Sequence, residues 1–556
     1  MSNISELSRA GSAVAAPSIP SQTYDATPRL ANWNVYFLAK LALYWQGLIG
    51  LHALENLALA LLLLMPLRHR WAAWLRTLLA LPAAAALLYY DSYLPPFERL
   101  LAQSSLVASF SPAYLAELAG RFVSWPAVAM LLVVVAGYRI AALRLRVGVV
   151  VIAALIFHFI IDPARLGTRA PQPVAQASPG TAAPAVSAVR EGKLDLDAVL
   201  RERFADEAKR RVTFSPPAAA ATPFDVIFLH VCSLAWDDLR ATGLDKHPLL
   251  QGMDILLTNF NSGASYSGPA VIRMLRAPCG ASPHADLYSP PADGDCFLLP
   301  ALKRAGFQTS VVLNHDGHFD DFLSVVRAQG NAGIQPLALD GLPVAQRSFD
   351  DSPIRDDLAV LQRWQASLQD SSAPRTATYF NTISLHDGNR LMGANAGMSS
   401  NASYKIRLKN LLDDFDAFIT RLGQGNRRVV VVLLPEHGAA LRGDKMQVAG
   451  MREVPTPAIT HVPVGIRVIG AGARRAGATL RIDTPSSYLA VSHIVARMLE
   501  RSPFAGAEFA PSDYAAELPV TPFVAENSGT VMLQHEGRHY LRMGNEGWSE
   551  YVAAQP

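Results

Sequence analysis

Val429-Val430-Val431-Val432-Leu433-Leu434-Pro435-Glu436-His437-Gly438 is an unbroken apolar run that stops on a carboxylate and an imidazole. A short run of this kind, rich in β-branched residues, is the pattern of a strand buried on both faces of a parallel sheet. Runs of similar character occupy residues 225–231, 308–313, 377–383 and 462–468. Helical patterns follow Pro269, Ser352, Asn401 and Pro485. Strands alternating with helices predict an α/β domain with a mostly parallel central sheet over residues 223–556. Near its end, residues 530–543 have the pattern of a hairpin turning at Glu536-Gly537.

The residues at the carboxyl ends of these runs are repeatedly ionisable. Cys232 follows the first, His315 the second, His386 and Asp387 the third, and Glu436 and His437 the fourth. His461 stands just before the fifth. In open α/β sheets the ligand crevice lies beyond the carboxyl ends of the strands. Separate strands therefore bring thiol, imidazole and carboxylate groups to one rim. Zn²⁺ takes these donor types in a tetrahedral set, and Cys232, Glu436 and His437 supply three of them.

Ser267 is a candidate for the fourth ligand. It lies in Asn261-Ser262-Gly263-Ala264-Ser265-Tyr266-Ser267-Gly268-Pro269, where a small polar loop turns into an apolar helical pattern. Proline suits the first turn of a helix, and a serine close before it suits the capping position. A hydroxyl there sits beside open backbone N–H groups and the positive end of the helix dipole, a good place to hold a phosphoryl group. Metal contact would acidify the alcohol and make it a nucleophile near neutral pH. The chain has three cysteines. Cys279 and Cys296 bracket a polar loop and form the natural disulfide in an oxidising compartment, leaving Cys232 as the thiolate ligand.

The 556 residues are too many for one ordinary core. Net charge is +3, which gives no argument for a nucleic-acid partner, and charged residues are only 17%. The mean hydropathy of +0.18 is high for a soluble enzyme, and the apolar excess lies before residue 163. Residues 1–30 are polar and rich in small residues, the composition of a disordered cytoplasmic tail. Five apolar runs come next, at 33–50, 51–67, 71–90, 125–139 and 147–161. A span needs about 17–25 residues, so several are short, and the second carries His52, Glu55 and Asn56. Arg68, Arg70 and Arg76 flank one connection, and Arg139, Arg144 and Arg146 another. The positive-inside rule places both clusters in the cytoplasm, so that a bundle of about five helices over 31–162 delivers the rest of the chain to the far side. The loop 91–124 would lie on that side, its Tyr and Phe residues at the interface. Residues 163–222 form a linker, flexible to 188 by composition, with a weak helical pattern at 191–211 that suits either the domain or the membrane surface.

The chain from Phe224 to Leu533 resembles the cellulose biosynthesis phosphoethanolamine transferases, inner-membrane members of the alkaline phosphatase superfamily. The resemblance rests on Val231-Cys232-Ser233-Leu234, Asn261-Ser262 with Ser265-Tyr266-Ser267-Gly268-Pro269, and Ser384-Leu385-His386-Asp387-Gly388-Asn389. It extends to Pro435-Glu436-His437-Gly438, Gly443-Asp444-Lys445-Met446-Gln447-Val448, Val462-Pro463-Val464-Gly465, and to Trp33-Asn34 and Leu63-Leu64-Met65-Pro66-Leu67 in the apolar half. The wider superfamily mostly places a carboxylate where Cys232 stands. The resemblance implies Ser267 as nucleophile and zinc ligand, with Cys232, Glu436 and His437 as the other ligands. It implies His386 as a phosphoryl contact or proton carrier. His461 is similar to a distal histidine of broader phosphoethanolamine transferases, Tyr266 adjoins the nucleophile, and His315 joins these substrate-binding candidates by position. The implied donor is phosphatidylethanolamine and the implied acceptor a glucosyl hydroxyl of nascent cellulose, in the periplasm, beside subunits of a cellulose synthase complex. Transfer to another envelope acceptor, or of phosphoglycerol, and a structural role in the secretion complex are the alternatives. Sulfatases carry Cys/Ser-x-Pro-x-Arg, from which Ser267-Gly268-Pro269-Ala270-Val271 departs.

Overall fold

The structure is a computed structural model that describes residues 30–92, 110–161 and 195–553, apart from positions 31, 47–48, 122–124, 219–220, 290–291, 332, 370, 445, 471–473, 545–546 and 68. The expected tail at 1–29, most of the linker and part of the 91–124 loop lie outside the described residues. The chain divides into two compact units. One holds residues up to 93 together with 126–177, and the other holds 94–125 together with 178–556.

In the first unit the apolar runs form α1 (Trp33–Trp45), α2 (Ala53–Leu64), α3 (Arg70–Asp91), α5 (Trp125–Ala141, whose first residue clusters with the second unit) and α6 (Val147–Ile161). Phe37, Leu41, Ala60, Leu63, Ala80, Val151 and Leu155 make its core, while Trp74, Leu79, Leu132, Val133, Val149 and Ile160 face outward. Of the described helices, only Trp71–Asp91 is long and apolar enough by itself to cross a bilayer; Ala53–Leu64, Val128–Ala141 and Val147–Ile160 are apolar but shorter. The runs were expected as about five spans, several of them short. The polar residues that weaken the second run are used internally. Asn56 accepts from Lys40 Nζ (2.7 Å) and donates to Asp91 Oδ2 (2.9 Å), Lys40 pairs with Asp91, and the His52 amide donates to Asp91 Oδ1 (2.9 Å). A buried charge persists only when paired in this way.

The second unit is built on a seven-stranded sheet. Its strands are β1 (Asp225–Val231), β2 (Ile255–Asn261), β3 (Gln308–Leu313), β4 (Thr376–Thr382), β5 (Val429–Pro435), β6 (His461–Ile469) and β7 (Leu480–Ile482), in the order β7-β2-β6-β5-β1-β4-β3. The pairings are parallel except those of β6, which runs antiparallel to both β2 and β5. Every residue of β1, β4 and β5 is buried, as the unbroken apolar run of β5 requires. Successive β1 residues alternate between two cores. Val226 and Phe228 meet α9 (Ser267–Leu275), α10 (Leu298–Arg304), α11 (Phe322–Gln329) and α14 (Tyr488–Glu500), whereas Ile227 and Leu229 meet α8 (Trp236–Thr242), α12 (Asp357–Gln369) and α13 (Ser400–Gly423).

Three elements add to or settle the sequence-based reading. β2 was not anticipated, because Thr258-Asn259 interrupts its apolar pattern where the register shifts against β6. The 191–211 pattern forms α7 (Leu196–Glu207), which lies on the domain: Leu196 and Leu200 pack on Val531 and Leu533. In the loop expected at a membrane interface, Pro112–Arg121 is a helix, α4, that groups with the second unit and buries Tyr114 there. A small antiparallel sheet closes the chain: β8 (Val524–Asn527), β9 (Thr530–His535), β10 (Arg538–Met543) and β11 (Ser549–Tyr551). It contains the expected hairpin, with His535 opposite Arg538.

Cys279 and Cys296 are bonded, and Cys232 is buried and free. A cross-link closing 17 residues stabilises by about 3 kcal/mol in the loop-entropy description. The Cys279→Ser/Cys296→Ser variant should lose about that much in chemical denaturation. Unfolding the wild type without reductant should expose a single titratable thiol per chain; three would refute the pairing.

Candidate active site

The site begins with strand register. β1 and β5 lie side by side with Val231 opposite Pro435, so the next residues, Cys232 and Glu436, leave the sheet together. The Cys232 amide donates to Thr382 O (3.0 Å) and the Glu436 amide to Val231 O (2.8 Å), which fixes both at the rim. Ser233 then adopts φ 63°, a left-handed conformation costly for a side chain of any kind but glycine. The strain is held by Tyr404 Oη donating to Ser233 O (2.5 Å), by Arg452 Nη1 donating to Ser233 Oγ (3.0 Å), and by the Leu234 amide donating to His437 O (2.6 Å).

Ser267 arrives from the opposite side, on α9. The helix starts at Ser267 itself, with Tyr266 as the residue before it and no side-chain cap. The expected capping role therefore does not form. Its hydroxyl instead lies 3.4 Å from Cys232 Sγ and 3.4 Å from His437 Nε2.

Cys232, Glu436 and His437 are buried, and their ligand atoms all lie within 4.8 Å of one another. His437 Nδ1 sits 2.9 Å from Gly438 O, which can only accept, and 3.3 Å from Arg452 Nη1, which can only donate; the closer carbonyl favours a proton on Nδ1, which leaves the Nε2 lone pair free. Glu436 Oε1 accepts from Asn381 Nδ2 (2.6 Å), whereas Oε2 is buried with no hydrogen-bond partner and lies 3.8 Å from His437 Nε2. His230, 3.4 Å from Glu436 Oε1 and 3.0 Å from Tyr379 Oη, also buries an unpartnered Nε2. Burial pushes the Cys232 thiol up to about 12 and the Glu436 carboxyl above its usual range, and holds His437 well below the usual imidazole range. By itself, then, the cluster is a dry place where burial disfavours the charged form of every donor. A divalent cation reverses that preference, since it favours thiolate, carboxylate and neutral imidazole together. The donor types and the orphaned Glu436 oxygen fit a zinc-like ion.

The remaining expected residues take different places. His315 donates from Nε2 to Asn381 Oδ1 (3.0 Å) and accepts the Gly317 amide at Nδ1 (3.1 Å), so both its nitrogens serve the protein. It stands behind Asn381, orienting the amide that holds Glu436. His386 Nδ1 donates to Asp387 O (2.6 Å), with Phe319 and Phe349 packed on the ring. It is outside the three-donor group, and burial, with Arg452 nearby, pushes it down to about 4. His461 begins β6, which the inversion of that strand places at the rim. There it packs on Phe523 and lines an open groove with Trp236, Arg240 and Asp444. Tyr266 Oη donates to Glu453 Oε1 (2.8 Å).

Arg452 was not foreseen. It is buried, its guanidinium lies 5.2 Å from the Tyr266 ring centroid and 3.3 Å from His437 Nδ1, and its Nε has no partner. It comes from the long loop after Glu436-His437, where no strand or helix pattern marks a position. Asn381, too, was hidden inside an apolar run.

Models of the cellulose biosynthesis protein BcsG match the chain in two parts, the N-terminal domain over residues 33–160 and the C-terminal domain over residues 180–548. The chain is 38% identical to the cellulose biosynthesis protein BcsG of Salmonella typhimurium over 563 residues, covering 96% of this chain and 98% of that one. It is likewise 38% identical to BcsG of Escherichia coli over 560 residues, with the same coverage. Among solved structures it is similar to a protein in the alkaline phosphatase superfamily from Vibrio parahaemolyticus, at 13% identity and a TM-score of 0.45, covering 65% of this chain and 88% of that one. Matches to both domain models and near-complete coverage of two relatives place the chain in one family: it belongs to the BcsG family of cellulose biosynthesis proteins.

Proposed function

We propose that this chain is a zinc-dependent phosphoethanolamine transferase that moves phosphoethanolamine from phosphatidylethanolamine to glucosyl hydroxyls of nascent cellulose. The observation that carries the reading is Ser267 Oγ at 3.4 Å from both Cys232 Sγ and His437 Nε2, at the first residue of a helix. Zinc held by Cys232, Glu436, His437 and Ser267 would supply Lewis acidity and lower the pKa of the serine alcohol. Ser267 Oγ attacks phosphorus, the bond from phosphorus to the diacylglycerol oxygen breaks, and diacylglycerol leaves with a proton. His386, neutral and with Nδ1 committed to Asp387 O, offers Nε2 to carry the proton released by Ser267. The first backbone N–H groups of α9 and the Arg452 guanidinium favour negative charge on the phosphoryl oxygens. In the second half an acceptor hydroxyl attacks the phosphoethanolamine-serine, and Ser267 regains its proton. Tyr266, next to the nucleophile, and His461, in the groove at the rim, are the remaining substrate-contact candidates.

The membrane reading belongs to the same proposal. α3 and the shorter apolar helices form a multi-pass inner-membrane bundle of about five spans, which keeps the enzyme at its lipid donor. The Cys279–Cys296 disulfide suits a periplasmic catalytic domain. Subunits of the cellulose synthase complex are the expected partners, consistent with the family.

Full-length protein in lipid nanodiscs containing phosphatidylethanolamine should gain the mass of one phosphoethanolamine, and Ser267→Ala should not. Absence of the adduct from wild type would remove the covalent intermediate. Acceptor identity is read by NMR of the exported polysaccharide, where an unmodified glucan from wild-type cells would exclude cellulose as acceptor.

Zinc affinity separates ligands from their supports. Asn381→Ala should weaken binding by about 10–100-fold, the cost of losing a group that orients a ligand, and Cys232→Ala by more than about 100-fold. Competition with a chromophoric chelator measures both; unchanged affinity in Cys232→Ala would contradict the ligand assignment.

A further inference from the structure

The short helix α4 has no place in the chemistry so far, yet it presses on two of the loops that build the site. In sequence it lies between α3 and α5, far from the C-terminal domain, but it groups with that domain. Arg121 grips Asp387 with two parallel hydrogen bonds, Nη1 to Oδ2 (2.6 Å) and Nη2 to Oδ1 (2.8 Å). Tyr114 Oη donates to the same carboxylate (3.0 Å). Asp387 is the residue whose carbonyl fixes the His386 ring, so α4 holds the neighbour of His386 from behind.

Glu117 extends the grip. It accepts from Arg121 Nη2 (2.6 Å), and its two oxygens receive the Ser400 amide at 3.1 and 3.0 Å. Ser400 opens α13, its Oγ accepts the Gly388 amide (2.8 Å), and Arg407 ties Ser400 O to Ser384 O and His386 O. Below Tyr114, Phe110 stacks edge-on to Phe349 at 5.2 Å, and Phe349 in turn packs on the His386 ring. The Ser111 amide donates to Phe349 O (2.8 Å).

The contacts are close enough to set residue type on the facing loops. A Cβ at Gly388, where φ is +82°, would lie 2.9 Å from the Tyr114 ring and 2.5 Å from Phe349 Cβ. A Cβ at Gly450, where φ is +85°, would lie 2.6 Å from Arg121 Nη1. Gly450 precedes Arg452 by two residues in the loop that returns from His437. Arg121 therefore touches the His386 loop and the Arg452 loop at once.

We infer that α4 is a positioning element of the active site, with Arg121, Glu117 and Tyr114 fixing the loops that carry His386 and Arg452. The fork geometry of a guanidinium on a carboxylate defines orientation as well as distance. Without Arg121, Asp387 is left as a largely buried carboxylate whose closest partner is Tyr114, and the His386 loop loses its brace. A shift of about 1 Å in a group that moves protons can cost up to about 100-fold in rate. The catalytic site is thus completed by a piece of chain that lies, in sequence, inside the apolar half.

The inference rests on the transferase reading for its kinetic arm only. Full-length Arg121→Ala and Arg121→Lys are compared with wild type in nanodiscs, using a water-soluble chromogenic phosphoethanolamine ester, with zinc content and thermal midpoint recorded. Arg121→Ala should lower kcat by at least about 10-fold with KM within about 2-fold, and Lys should recover part of the loss. Hydrogen exchange at the Gly388 and Ser400 amides should quicken in Arg121→Ala. Wild-type kcat together with unchanged exchange would overturn the inference and leave the transferase reading intact. An inactive wild type would defeat the transferase reading, and the exchange arm would then decide the positioning role alone. If Arg121→Ala loses zinc or unfolds, Tyr114→Phe, which keeps the ring, decides: a lower kcat at unchanged KM supports the inference, and an unchanged kcat overturns it.

Discussion

Everything at the site depends on the parallel pairing of β1 with its neighbours β5 and β4 in the middle of the sheet. Val231 stands opposite Pro435 on one side and Thr382 on the other, so three chains leave the sheet at one level. A slip of one residue would send every alternate side chain to the wrong core, and with it Cys232 or Glu436 away from the rim. Every residue of these three strands is buried, which makes that register costly to change. The metal donors inherit their mutual placement from it rather than from contacts with one another.

Burial gives the cluster its chemical character. Cys232, Glu436 and His437 are excluded from water, and burial disfavours the charged form of each. A cation changes three preferences together, which is why a single ion can organise the site more strongly than any one ligand suggests. Behind them stand groups that hold orientation: Asn381 on Glu436, His315 on Asn381, and Tyr404 and Arg452 on the strained Ser233. Glu436 Oε2 is the exception: it has no hydrogen-bond partner and lies 3.8 Å from His437 Nε2.

The division of the chain into units does not follow its division into apolar and mixed sequence. α4 comes from between two apolar helices and belongs, by its contacts, to the catalytic unit. Its ion pair with Asp387 is partly buried and forked, the arrangement in which an ion pair fixes geometry. A domain defined from the linker onward would omit Arg121, Glu117 and Tyr114.

The α/β class, the strands at 225–231, 308–313 and 429–434, the cysteine pairing and the Cys232, Ser267, Glu436 and His437 set were legible in the sequence, because each depends on local pattern or on the residues at which a strand ends. Resemblance to a known family supplied the meaning of His386. Tertiary structure alone decided the rest. It turned β6 around and so brought His461 to the rim, and it gave His315 to Asn381 instead of to the substrate space. It released Ser267 from capping, because the hydroxyl is drawn toward Cys232 and His437. It also recruited Arg452 and α4, whose residues stand in loops without periodicity. Such positions are set by long-range contacts, and no local pattern records those.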